Sequence, residues 1–141
     1  MIALFDTSVL VAAFQSRHEH HAPSLRAFSR ATKETAVCAG HTLAELYSVA
    51  TRLPRPYRVL PEHALVLVDQ VCERTKIVTL DGEDYHAMIR RAATERQSGG
   101  RIYDALLLAC ARKAKAKKIY TWNTRHFREI APDMAERIVE P

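Results

Sequence analysis

Three acidic side chains, far apart in the chain, stand where an isolated charge would be costly. Asp6 directly follows a short apolar run, and Asp104 lies in the first turn of the most apolar predicted helix. Glu45 lies one residue away from the apolar stripe of another predicted helix. Clustered carboxylates repel one another unless a divalent cation neutralises them. Oxygen ligands with no cysteine or paired histidine nearby suit Mg²⁺ or Mn²⁺ better than zinc.

Such ions bind phosphate oxygens as readily as carboxylates, and they can polarise a phosphodiester and activate water for in-line attack. The chain carries 21 Lys and Arg residues against 16 acidic ones, a formal net charge of +5. This balance favours polyanionic partners, although many ordinary domains share it. Asn123, after a predicted core strand, offers a further oxygen ligand.

Each of these residues also has a plainer interpretation. Asp6 and Asn123 stand where helix N-caps are expected, and a cap side chain accepts a backbone N–H bond. Asp104 in a first helical turn would interact favourably with the helix dipole. Glu45 could pair with Arg52 or remain solvated. No single residue decides between the two interpretations.

The predicted elements alternate between strand and helix. Strands are predicted at residues 2–5, 35–39, 77–80 and 119–121. Helices are predicted after Asp6, from about residue 22 to 31, from 42 to about 52, from about 61 to 74, at 83–96, at 102–116, and from Phe127. This order predicts an α/β sandwich around a mainly parallel sheet. Ligands of such sheets bind beyond the carboxyl ends of the strands, where Asp6 and Asn123 fall.

Length and composition favour one domain spanning residues 1–141. The chain has 141 residues, of which 48% are hydrophobic, and neither a repeat nor an internal linker interrupts it. Cys38, Cys72 and Cys110 are odd in number and lack CxxC spacing, which predicts reduced thiols and a cytoplasmic location. The longest apolar run, residues 105–111, is too short to span a membrane.

Four segments together resemble the PIN domain, and in particular the VapC-like toxins of bacterial toxin–antitoxin pairs, over essentially the whole chain. They are IALFDTSVL at residues 2–10, TLAELY at 42–47, GRIYDAL at 100–106 and TWNTRHF at 121–127. The resemblance implies a Rossmann-like PIN α/β/α sandwich and endonucleolytic, Mg²⁺- or Mn²⁺-dependent cleavage of RNA. It also implies a homodimer and a small VapB-like antitoxin as partner.

Carried over position by position, the resemblance makes Asp6, Glu45 and Asp104 the metal-binding and catalytic residues. It places Thr121 and Asn123 in the lining of the same site. Many PIN domains have an aspartate where this chain has Asn123, so a fourth acid is missing.

That departure motivates a second hypothesis, a catalytically weak module that binds RNA or an antitoxin. A third hypothesis makes Asp6 a nucleophile in phosphoryl transfer, but Ser8 stands where such enzymes usually carry a second aspartate.

Other polar groups are secondary candidates. Arg101, three residues before Asp104, is placed to contact a phosphate near the metal. The three histidines of residues 18–21 suggest either a transition-metal site or, more simply, a solvated turn. The basic run at residues 112–118 predicts a solvated helix end or a surface that steers RNA. Asp84 falls near a strand end and is a weak candidate ligand.

Overall fold

The computed structural model describes residues 1–141 and contains one five-stranded sheet. The strands are β1 (Ala3–Phe5), β2 (Ala36–Ala39), β3 (Lys76–Val78), β4 (Lys118–Tyr120) and β5 (Ile138–Val139). Their order in the sheet is β3-β2-β1-β4-β5, and every neighbouring pair is parallel. The predicted α/β class is confirmed, and the sheet is parallel throughout rather than mainly so.

Seven α-helices connect and cover the strands. They are α1 (Thr7–Phe14), α2 (His21–Ser29), α3 (Gly40–Thr51), α4 (Pro61–Arg74), α5 (Gly82–Thr94), α6 (Arg101–Lys113) and α7 (Thr124–Ile130). A 3₁₀ helix, Pro132–Arg137, leads into β5. All seven helices were predicted. The last one begins three residues before Phe127, and neither the 3₁₀ helix nor β5 was expected.

The sheet separates two apolar layers because successive strand residues face opposite sides. Leu4 belongs to a cluster formed with α6, α7 and β5, whereas Phe5 belongs to a cluster formed with α1 to α4. Both side chains are almost fully buried. A sheet covered by helices on both faces explains why the strands are mostly apolar, with only Lys76 and Lys118 exposed at the first positions of β3 and β4.

The carboxyl ends of three adjacent strands form the edge that matters for the site. Asp6 follows β1, Thr121 follows β4, and Gly40 opens α3 directly after β2. A Cβ atom at Gly40 would lie 2.9 Å from Cγ2 of Thr79, so the close approach of this junction to the end of β3 favours glycine. Parallel pairing therefore brings polar residues from distant parts of the chain to one edge.

The three thiols are free, with Cys38 and Cys110 buried and Cys72 half-buried. No helix combines the length and the apolar character needed to cross a bilayer.

Candidate active site

Asp6 lies at the centre of a hydrogen-bond network at the carboxyl end of β1. Its side chain makes no N-cap bond to α1, so the capping interpretation is wrong. Instead Oδ2 accepts hydrogen bonds from Ser8 Oγ at 2.7 Å and from Thr121 Oγ1 at 2.8 Å. The residue is 4% exposed. A buried carboxylate held by two hydroxyl groups is fixed in orientation but not neutralised.

The network ties the ends of β1 and β4 together. Thr121 is fully buried, and its Oγ1 also accepts a hydrogen bond from the backbone N–H of Asn123. Ser8 Oγ in turn accepts one from the backbone N–H of Trp122. Ser8 was missed as a site residue, because the sequence marked it only as the position of an absent aspartate. Its spacing of two residues from Asp6 was the available signal.

Asn123 contributes its backbone rather than its side chain to this network. It occupies the N-cap position of α7, yet its side chain makes no cap bond and is exposed. The capping interpretation of Asn123 is therefore wrong as well. Its amide remains at the rim of the carboxyl edge, next to buried Thr121.

Glu45 reaches the same edge from the second turn of α3. Its Oε2 lies 3.4 Å from Nε2 of His41, one helical turn earlier, and not beside Arg52 as one interpretation proposed. The side chain is 35% exposed, whereas Leu46 beside it is buried in the core. Glu45 thus faces outward at the border of the apolar layer.

Asp104 completes the set from the first turn of α6. Burial, together with the negative charges of Asp6 and Glu45, raises the pKa of its carboxyl from 3.8 to about 6. His126 and Arg101 oppose the shift. Burial likewise raises the pKa of Asp6, against the hydrogen bonds from Ser8 and Thr121. The three acids therefore lie within electrostatic range of one another.

The structure brings these acids together without forming a finished metal cage. No group of three His, Cys, Asp or Glu side chains is arranged closely enough to hold a metal ion as it stands. Neither Asp6 nor Asp104 takes part in an ion pair, and Glu45 meets only an imidazole. Three uncompensated carboxylates fit a hard divalent cation in chemistry, provided that their side chains close around it.

The secondary candidate residues make contacts with side chains outside the set of three acids. Arg101 donates to Oε2 of Glu129 at 2.9 Å and also contacts Gln97, so its guanidinium is engaged at the surface. Asp84 accepts from Lys113 at 2.8 Å and closes the capping box of α5 with Asp81. Asp84 is thus neutralised by Lys113 and used in the cap of α5, and it is not among the charges that shift the pKa of Asp6 or Asp104.

Two sequence interpretations of surface segments need correction. The histidine segment is not simply a solvated turn, because His20 stacks on Trp122 and His21 opens α2 with Nδ1 2.9 Å from the carbonyl of Ala12. The basic run is not uniformly solvated either. Arg112 pairs with Asp133, and Lys113 pairs with the capping carboxylate of α5.

Comparison with known proteins adds a family to this geometry. The PIN domain family model matches residues 3–132. Ribonuclease VapC40 of Mycobacterium tuberculosis is 35% identical over 125 residues, which cover 89% of this chain and 87% of the relative. Ribonuclease VapC27 of the same organism is 35% identical over 112 residues, covering 79% and 78%.

Solved structures agree with the observed fold. The crystal structure of VapC20 from Mycobacterium tuberculosis superposes with a TM-score of 0.71 at 14% identity, covering 88% of this chain and 92% of that one. DNA-bound VapBC from Salmonella typhimurium gives a TM-score of 0.68 at 19% identity, covering 99% and 98%. At these identities the likeness establishes the architecture alone.

Proposed function

We propose, since the chain belongs to the PIN domain family and to its VapC group, that it is a metal-dependent endoribonuclease and the toxin of a toxin–antitoxin pair. The observation that supports this most directly is the set of three carboxylates at one sheet edge with no Lys or Arg partner. A fold that leaves such charges uncompensated is suited to a cationic cofactor.

In this proposal Asp6, Glu45 and Asp104 hold Mg²⁺ or Mn²⁺. Such an ion, when bound, polarises the scissile phosphate and lowers the pKa of water for in-line attack. The hydroxyl groups of Ser8 and Thr121 keep the Asp6 carboxylate in one orientation, because both donate to the same oxygen. Asp6 is therefore a preorganised ligand that needs no rearrangement, whereas Glu45 and Asp104 close around the ion when it binds.

The remaining residues shape the approach of RNA. Asn123, exposed at the rim, replaces a charged ligand with a neutral amide, which lowers the negative charge that a phosphate must meet. Arg101 becomes a phosphate contact only if it leaves Glu129. A net charge of +5 favours the encounter with RNA in the cytoplasm.

The proposed protein partners are a VapB-like antitoxin and a second copy of the chain. Structural neighbours include VapBC from Salmonella typhimurium and VapBC-1 from nontypeable Haemophilus influenzae, whose names pair a VapC with a VapB component. Co-expression with the adjacent small open reading frame, followed by size-exclusion chromatography with light scattering, tests both partners.

Cleavage of a single-stranded RNA by purified protein with Mn²⁺ tests the activity. We expect Asp6→Asn and Asp104→Asn each to lower the rate by at least about 100-fold, because each removes a charged ligand. EDTA should abolish cleavage by the parent protein. The matched control is Asp133→Asn, which removes an acid that pairs with Arg112 in the last turn of α6, at the other end of that helix from Asp104.

Two results would contradict the proposal. One is cleavage by both variants at the parent rate, with circular dichroism showing an unchanged fold. The other is RNA binding that EDTA leaves unchanged, with no cleavage under any divalent cation. The second result would instead support a catalytically weak binding module.

A further inference from the structure

Two stacks of a histidine on a larger aromatic ring flank the carboxyl edge. His41 and Tyr103 have ring centroids 5.2 Å apart and planes within 4° of parallel. His20 and Trp122 have centroids 3.8 Å apart and planes within 9°. Tyr103 immediately precedes Asp104, and Trp122 immediately follows Thr121, so each stack borders the three acids. The two stacks nevertheless differ in whether the larger ring still has a face exposed to solvent.

In the stack of His20 and Trp122, the Trp122 side chain is enclosed by neighbouring residues. Its indole Nε1 donates to Ser24 Oγ at 2.9 Å, and its backbone N–H donates to Ser8 Oγ. The ring also packs against the apolar cluster between the sheet and α1 to α4. With its donor satisfied and its ring packed, Trp122 anchors the β4 end and the segment before α2.

The Tyr103 stack is open. Tyr103 is 53% exposed, a large fraction for an aromatic residue beside half-buried Asp104 and the apolar residues of α6. His41 covers part of the ring, and the His41 imidazole is itself held 3.4 Å from the Glu45 carboxylate. The tyrosine ring is therefore supported from one side and presented to solvent on the other.

An exposed, supported ring beside a phosphate-binding site has a specific use in nucleic-acid proteins. Unpaired bases stack on tyrosine, and the stacking tolerates any base because each has a π-face. A ring already held by a neighbour loses little freedom when a base covers it. Paired bases remain stacked within a helix and are not free to do this.

We propose that Tyr103, supported by His41, is the platform on which an unpaired RNA base next to the scissile phosphate stacks. This inference rests on the proposed ribonuclease function and adds a residue that positions the RNA, namely the exposed ring of Tyr103. Tyr103 acts as a substrate-positioning residue, and the stacked base would bring the adjoining phosphate to the divalent ion that Asp104 and Glu45 would hold.

The test compares the parent protein with Tyr103→Phe and Tyr103→Ala on short RNAs that carry one abasic site at successive positions around the cleavage point. Tyr103→Ala should raise KM about 10-fold or more on intact RNA with kcat nearly unchanged, and Tyr103→Phe should retain the parent KM. An abasic site at one position should raise KM for the parent and for Tyr103→Phe. It should have no further effect on Tyr103→Ala.

The matched control is Tyr57→Ala, which removes another half-exposed tyrosine from the loop after α3. It should leave KM unchanged. Thermal melting of every variant separates loss of stacking from loss of the fold, since Tyr103→Ala should melt within a few degrees of the parent protein. A second readout is RNA affinity by fluorescence anisotropy in the Asp6→Asn background.

The outcomes separate this inference from the proposed function. The stacking role of Tyr103 is refuted if Tyr103→Ala and the parent protein have equal KM. It is also refuted if Tyr103→Ala changes KM but no abasic position in the RNA reproduces that change. Absence of metal-dependent cleavage overturns the ribonuclease proposal alone, because the affinity readout still decides the platform. In that readout, Tyr103→Ala should weaken binding of intact RNA about 10-fold and should not weaken binding of the matching abasic RNA.

Discussion

The carboxylates of the candidate site and the surface carboxylates around α5 to α7 differ in whether a Lys or Arg side chain pairs with them. In the second region, outside the site, four acids each lie within 3.2 Å of a Lys or Arg nitrogen. The pairs are Asp84 with Lys113, Glu95 with Arg91, Glu129 with Arg101 and Asp133 with Arg112. At the site, Asp6, Glu45 and Asp104 share one edge and have no Lys or Arg partner.

The pKa shifts follow this division. A hydrogen bond from Lys113 lowers the pKa of Asp84, and one from Arg101 lowers that of Glu129. Burial raises the pKa of Asp6 and Asp104. The paired acids lie at the surface and contribute little to stability, whereas Asp6 and Asp104 oppose folding when ionised. Such retained, unfavourable charge is typical of functional positions.

The largest expected contrast is in activity. We expect Glu45→Gln to lower RNA cleavage by about 100-fold, because the amide keeps the shape of the side chain and removes the ligand charge. Glu95→Gln, which removes the partner of Arg91, should leave the rate within about 2-fold. Initial rates with Mn²⁺ at saturating RNA measure both. A similar loss in the two variants would erase the proposed division between the regions.

The next contrast is in stability and its dependence on pH. In metal-free protein the Asp104 carboxyl has a pKa of about 6, against 3.8 as its usual value. Between these values the folded state binds more protons than the unfolded state, so this contribution to the free energy of unfolding falls as pH rises from about 4 to 7. With allowance for solvent screening of a half-exposed group, the loss is about 1–2 kcal/mol.

Asp104→Asn should therefore be more stable than the parent protein at pH 7.5 by about 1–2 kcal/mol, with the difference vanishing near pH 4. Urea denaturation in EDTA at several pH values measures it. Asp84→Asn is the control of opposite sign. Because the pKa of Asp84 is lowered, its carboxylate stabilises the parent protein at neutral pH. The Asp84→Asn variant should therefore be less stable than the parent protein there, and the difference should shrink as pH falls. A parent protein that is more stable than Asp104→Asn at pH 7.5 would refute the electrostatic account.

The smallest effect is expected for the ion pair between Asp133 and Arg112. Asp133→Asn should cost less than about 1 kcal/mol, because Asp133 is 55% exposed and water screens the pair. The loss should shrink further in 0.5 M salt, which is checked by thermal melting at two ionic strengths. A loss of several kcal/mol in the free energy of unfolding would show that the acids near α5 to α7 contribute more to stability than we infer.

Much of the architecture could be predicted from local patterns. The short apolar run before Asp6 and the predicted helix starts near residues 61 and 102 each marked a boundary that the structure places within one residue. β5 could not be found in this way, because two residues, Ile138 and Val139, carry no periodicity and pair only with β4. Helix starts also shifted, as at α7, where Thr124 rather than Phe127 begins the helix.

The candidate site was only partly accessible to such reasoning. Polar residues at strand ends indicated which side chains to examine, and the resemblance named Asp6, Glu45 and Asp104. Neither could show that the Asp6 carboxylate is held by Thr121, 115 positions away, rather than used as a helix cap. Nor could they show that Glu45 turns to His41 instead of Arg52.

The sequence by itself determined the alternation of strands and helices, the apolar layers and the positions of the acids, because these depend on short-range periodicity and residue chemistry. Tertiary structure alone decided which acids lack a Lys or Arg partner and which tyrosine ring is exposed to solvent beside them. Those properties depend on which distant segments the parallel sheet brings to one edge, and no local pattern encodes that.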